Sequence, residues 1–344
     1  MLITMFDKEI VFAMISFIQA NPPLFILSIL LLSLVIILWG LQYWIIQQGK
    51  QFFDHCLRYC GTLKQVVRKS SLYRRMQYKY PRFFVFLSRR FQPQHFYGLP
   101  LTLLLLAMGY ILALFTGLVE DIVTSDSIVT IDHLVSYQMN MLREPNVVNF
   151  FIFITSFGSA AISCLIVILV CVICGIIRQP YILIGLLVST IGSSIFTFLS
   201  KLLFHRTRPE DALLLEQSFS FPSGHATIAI ALYGFLAYLT IRFSPNFIKQ
   251  VRIFFTMLLF AVLLGLSRMV LNEHYLSDVL GGFLVGTLWL IVSISLTEWL
   301  SASGKITWQL PQSFMQNYTV GLSIILVLIA TLIYAAVYQF PLLF

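Results

Sequence analysis

Apolar runs long enough to cross a bilayer recur from one end of this sequence to the other, and that leaves few folds open. They cover residues 24–46, 99–119, 147–177, 181–204, 222–241, 253–271, 276–300 and 318–340. A helix of roughly 20 apolar residues spans the hydrocarbon layer. In lipid the backbone must satisfy its own hydrogen bonds, so such runs become helices. The alternating strands of an outer-membrane barrel are not seen. With 59% hydrophobic and 10% charged residues, an ordinary soluble domain is excluded. The reading is an all-α, polytopic membrane protein.

The net charge of +8 is unevenly placed: half of the 22 Lys and Arg lie between Lys50 and Arg90, where Asp54 is the only acid. That is the mark of a cytoplasmic segment. Residues 47–98 are read as a linker with interfacial helices, their cations on anionic headgroups and Phe83, Phe84, Phe86, Phe91 and Phe96 at the lipid boundary. No recognition motif accompanies the charge, so no nucleic-acid partner is expected. Residues 120–146 carry Glu120, Asp121, Asp126, Asp132 and Glu144 against Arg143. They read as an extracytoplasmic loop holding a structural amphipathic helix, with Ile128, Ile131, Leu134, Val135, Met141 and Leu142 at helical spacing. The apolar stretch 10–18 is too short to span, and no cleaved leader is expected. Cys171 and Cys174 lack a redox context. Cys56 and Cys60 lack a second ligand pair, so no zinc site is expected there.

Three polar clusters interrupt the apolar pattern. Lys201, Arg208 and Pro209 form the first, Pro222-Ser223-Gly224-His225 the second, and Ser267-Arg268 with His274 and Asp278 the third. Counted from a cytoplasmic basic segment, all three fall on the extracytoplasmic face. His274 and Asp278 are four residues apart where a helix begins, so the carboxylate is expected to accept the Nδ1 proton and leave Nε2 nucleophilic. Pro222-Ser223-Gly224 precedes a long helix, whose first N–H groups bind anions. His225 is placed to protonate a leaving oxygen. Lys201, Arg208 and Arg268 add fixed positive charge. Such a set suits phosphoryl transfer, which needs positioning and charge stabilisation. A metal-dependent site would ask for several carboxylates, so no metal and no cofactor are expected. Gly282 and Gly286 make a small-xxx-small pair, expected to pack helices closely.

K-x6-R-P, P-S-G-H and S-R-x5-H-x3-D, in this order, resemble the signature of the type 2 phosphatidic acid phosphatase (PAP2) superfamily. The resemblance implies a six-helix domain over 99–300, with residues 1–98 and 301–344 adding one transmembrane helix at each end. It implies that His274 attacks phosphorus and forms a phosphohistidine, that Asp278 orients it, and that His225 is the general acid. Lys201, Arg208, Ser223, Gly224 and Arg268 would hold the phosphate. His205 and Arg206 are expected as possible contacts to a second phosphate or the headgroup. Glu273, unusual beside the histidine, is expected to face water, with a contact to the site as the other option.

The expected activity is hydrolysis of a lipid phosphate or polyprenyl diphosphate at the outer face of a bacterial inner membrane. A phosphotransferase using the same first half-reaction and a non-enzymatic lipid-phosphate binder are the alternatives. The partners are a membrane lipid substrate and the bilayer; headgroup, tail and oligomeric state are not legible.

Overall fold

The computed structural model describes residues 22–92, 96–213, 218–309 and 314–337, and among them every regular element is helical. The stretch 10–18, Glu216 of the acidic loop and the last three residues of the final expected span lie outside the described residues, as do the side chains of Cys56 and Cys60. In chain order the helices are α1 (Pro22–Lys69), α2 (Ser71–Lys79), α3 (Pro81–Arg90), α4 (Leu99–Thr124), α5 (Asp126–Asn140), α6 (Pro145–Ser156) and α7 (Ala160–Ile176). There follow α8 (Ile182–Leu187), a π-helical turn (Val188–Gly192), α9 (Ser193–Phe204), α10 (Gly224–Phe243), α11 (Phe247–Val270), α12 (Leu276–Ala302) and α13 (Phe314–Val337). Among them are 8 segments long and apolar enough to span, each at an expected place. The chain is a multi-pass integral membrane protein.

The centre is α10, which packs on α12 and α11. Two glycines explain how close α10 and α12 come. A Cβ on Gly282 would lie 2.5 Å from the Ser223 carbonyl oxygen, and one on Gly286 2.6 Å from that of Thr227. Side chains there would push the backbones apart, as the small-xxx-small pattern implied. Ile162, Ile182, Leu186, Leu232 and Phe235 fill the adjoining core. Buried hydroxyls tie neighbouring helices: Ser189 Oγ donates to the Ala231 carbonyl at 2.7 Å and Ser293 Oγ to that of Gly185 at 2.6 Å. Leu106, Phe198 and Leu203 face outward, as lipid-facing residues do.

Three features depart from the sequence reading. The first helix does not stop where hydropathy falls. It runs 48 residues to Lys69, a length of roughly 72 Å, more than twice the hydrocarbon thickness. The span expected over 147–177 is broken at Phe157–Ser159 between α6 and α7. Ser159 caps α7 by accepting the Ile162 N–H at 3.3 Å, and Tyr233 Oη donates to the Phe157 carbonyl at 2.6 Å, so the break is held on both sides. Finally, α5 is helical as expected, but the face it turns inward is mixed, with Val135 and Met139 half-buried beside Asp132, Ser136 and Asn140. Ile131 and Leu134 are exposed whereas Asp132 is 1% exposed. It rests on α4, α11 and α12.

Candidate active site

The three clusters meet at one end of the bundle because they occupy helix ends. Lys201 lies in the last turn of α9, which closes on His205 in the left-handed region at φ 48°. The Lys201 ammonium donates to the Phe219 carbonyl at 2.6 Å and to Ser218 Oγ at 3.1 Å. Arg208 reaches the same loop, donating to the Ser218 carbonyl at 2.7 Å, and also crosses to the Glu273 carbonyl at 2.8 Å. The chain between α9 and α10 is thereby tied to the chain between α11 and α12.

Glu273 does not face water. It is fully buried, 3.2 Å from Arg208 Nη1 and 3.8 Å from Arg268 Nη2. The turn after α11 causes this. Asn272 adopts φ 54°, and the N–H groups of Glu273 and His274 both return to the Arg268 carbonyl, at 2.9 and 3.3 Å. The chain doubles back and carries the carboxylate inward, where two guanidinium groups offset its desolvation. Arg268, itself fully buried, donates to Thr155 Oγ1 at 2.9 Å.

Ser223 precedes the first turn of α10, and its N–H donates to the Asp278 carbonyl at 2.9 Å, joining the second cluster to the third. Ser223 Oγ and His225 Nε2 are buried and have no hydrogen-bond partner among the described residues. Buried polar atoms are normally satisfied, so two such atoms within the first turn of one helix are placed to bind an anion there. Lys201 and His225 line one cleft, and Arg208 and Arg268 meet at Glu273, which immediately precedes His274.

His274 is buried, with Nδ1 3.6 Å from Asp278 Oδ2. This is ion-pair separation, longer than the hydrogen bond expected from the spacing. The four-residue interval also crosses the start of α12 and does not lie along one helix face, since Tyr275 precedes the first helical residue. Asp278 Oδ2 accepts the Tyr275 N–H at 2.9 Å and Oδ1 accepts Arg206 Nη1 at 2.6 Å.

Arg206, expected at the substrate, has its guanidinium engaged within the protein. It donates to Asp278, to Ser277 Oγ at 2.6 Å and to Asp132 at 2.7 Å, and stacks 4.6 Å from the centre of the Tyr275 ring. Burial pulls its pKa down, but Asp278 and Asp132 outweigh that and hold it above the ordinary arginine value. His205 is exposed and packs edge-on against Phe219. Gly158, in the α6–α7 break, lies against His225.

A cleft of about 800 Å³ opens beside this cluster, with Lys201, Gly224 and His225 in its wall and Val167, Ile168, Leu187, Ile191, Ile195 and Phe198 along its apolar length. It runs between α7 and the α8–α9 span. Asp132, Thr155, Gly158 and Ser277 were not singled out in the sequence. Asp132 reads there as one more loop acid, and the only local signal for the next two is a Thr-x-x-Gly inside an apolar run.

Residues 182–302, which contain all three clusters, match the PAP2 superfamily. Over 85 residues, 24% of its length, this chain is 42% identical to phosphatidylglycerophosphatase B of Bacillus subtilis (strain 168); the match spans 42% of that protein's length. A crystal structure described as the first transmembrane PAP2 type phosphatidylglycerolphosphate phosphatase, from Bacillus subtilis, superposes with a TM-score of 0.52 at 28% identity, covering 56% of this chain and 96% of that one. The matched PAP2 residues begin at α8, so Asp132 on α5, Thr155 on α6 and Gly158 in the α6–α7 break lie outside them.

Proposed function

We propose that this protein is an integral-membrane phosphatase that removes a terminal phosphate from a lipid at the extracytoplasmic face, with residues 99–300 as its catalytic domain. The observation that carries the reading is the gathering of Lys201, Arg208 and Arg268 with Ser223 and the start of α10 around two imidazoles. A phosphate there meets guanidinium forks, an ammonium and helix-start amides, and gives Ser223 Oγ and His225 Nε2 the partner they lack among the described residues.

In the proposed reaction His274 Nε2 attacks phosphorus in line while the P–O bond to the lipid lengthens. The three cations take up charge on the equatorial oxygens. His225 passes its proton to the leaving lipid oxygen. The resulting phosphohistidine is opened by water, whose proton returns to His225, and inorganic phosphate leaves. In this reading the chemistry lies on the side opposite the basic segment, the periplasmic side of an inner membrane, and the positive-inside bias supports it. The apolar cleft takes the lipid tail. The two similar Bacillus subtilis proteins, named for phosphatidylglycerolphosphate, favour a phosphate monoester on a glycerophospholipid as the first substrate to try.

The test is phosphate release in detergent from phosphatidylglycerol phosphate, phosphatidate, undecaprenyl diphosphate and lipid A. The wild type is expected to release phosphate from the first, and His274→Ala to lose roughly a thousandfold or more in rate. Equal rates for the two proteins would reject the assigned nucleophile.

A further inference from the structure

Asp132 begins a chain of charges that runs through Arg206 and Asp278 and ends at His274. Its Oδ1 accepts the Ser277 N–H at 3.0 Å, and its Oδ2 accepts both the Ser277 hydroxyl and Arg206 Nη2, the latter at 2.7 Å. The other guanidinium nitrogen, Nη1, reaches Asp278 Oδ1 at 2.6 Å. Asp278 turns its second oxygen toward His274. Asp132 and Asp278 are each at most 1% exposed, and Tyr275 covers the guanidinium on its face. Water therefore screens these charges little.

The arithmetic of the chain is informative. Arg206 and Asp278 alone make a neutral pair, which offers an imidazolium no net attraction. Asp132 adds a second carboxylate and brings the group to one net negative charge. We propose that Asp132 is a positioning residue: by sharing Arg206 with Asp278, it keeps Asp278 available to hold and charge-balance His274 as that imidazole becomes cationic on attacking phosphorus. The interfacial helix α5 thus completes the site from outside the PAP2-matched residues. A structural anchor for α5 could bind Ser277 and Arg206 equally well but would not depend on charge balance, and that difference can be tested.

The inference rests on the phosphatase reading. A wild type that releases no phosphate fails that reading; an active wild type with an indifferent Asp132 fails only this one. The experiment measures kcat and KM of the full chain in detergent micelles for Asp132→Asn, Asp132→Glu, Arg206→Met and the double variant Asp132→Asn/Arg206→Met. Asp132→Asn is expected to lower kcat by about ten- to a hundredfold with KM changed less than about threefold. Asp132→Glu should recover part of that loss. The double variant, which leaves Asp278 alone with one negative charge, should turn over faster than Asp132→Asn. If Asp132→Asn does not survive extraction, Asp132→Glu alone is compared with the wild type, and its kcat should fall with KM changed less than about threefold. Wild-type kcat in Asp132→Asn, a double variant no faster than Asp132→Asn, or an Asp132→Glu loss confined to KM would overturn the proposal.

Discussion

Gly158 lies directly against the imidazole of His225: a Cβ on Gly158 would fall 2.5 Å from His225 Cδ2 and 3.0 Å from Leu264 Cδ2. The break between α6 and α7 thus gives the second histidine its room.

It follows that Gly158→Ala displaces an imidazole that has to reach a leaving oxygen. Activity should fall by about tenfold to a hundredfold, while vanadate, still held by the cations, the α10 amides and His274, continues to bind. Steady-state rates and vanadate inhibition measured on the same preparation separate the two effects. Unchanged rates would mean that the ring has slack not evident in the structure.

Glu273 is the shared counter-charge of Arg208 and Arg268. Neutralising it leaves two cations that repel each other unless an anion replaces it. Glu273→Gln should therefore unfold more easily by about 3 kcal/mol in anion-free buffer, with vanadate raising its melting temperature more than that of the wild type. Thermal unfolding in detergent with and without vanadate measures both.

Ser194 is exposed and lines the apolar cleft, away from the three clusters in sequence. If lipid tails lie in the cleft, Ser194→Trp should raise KM for a long-chain lipid phosphate by about tenfold and leave turnover of a short, water-soluble phosphate monoester unaltered. Equal effects on both substrates would remove the tail from the cleft.

Burial raises the Tyr275 phenol; Asp278 and Asp132 add to this, and Arg206 opposes it. A raised folded pKa means that the folded state keeps a proton the unfolded chain releases. The resulting stabilisation is fully present below the ordinary value of 10.0 and is lost as pH rises through the folded value. Tyr275→Phe should remove this alkaline decline, visible as a flatter melting temperature above about pH 10.

The spans and the three motifs were legible because hydropathy and short spacing are local properties. What escaped depends on distant chain. Asp132 acquires its meaning from Ser277, 145 positions away, and Thr155 from Arg268, 113 positions away. Glu273 reads as a solvated acid because a carboxylate beside a loop usually is one; only the turn at Asn272 and two arginines make its burial tolerable. Hydropathy marked where lipid contact ends near residue 46, but a helix does not end where its hydrophobicity does, and no proline interrupts α1 before Lys69.

The glycine seam between α10 and α12 has an evolutionary corollary. Main chain there touches main chain, so the separation of the Ser223 amide from the Asp278 carbonyl at the start of α12 is fixed by peptide geometry and cannot be adjusted by exchanging one side chain for another. A mutation at the lipid-facing cleft can therefore alter what is accepted without moving the reacting groups, whereas one at Gly282 or Gly286 changes their spacing.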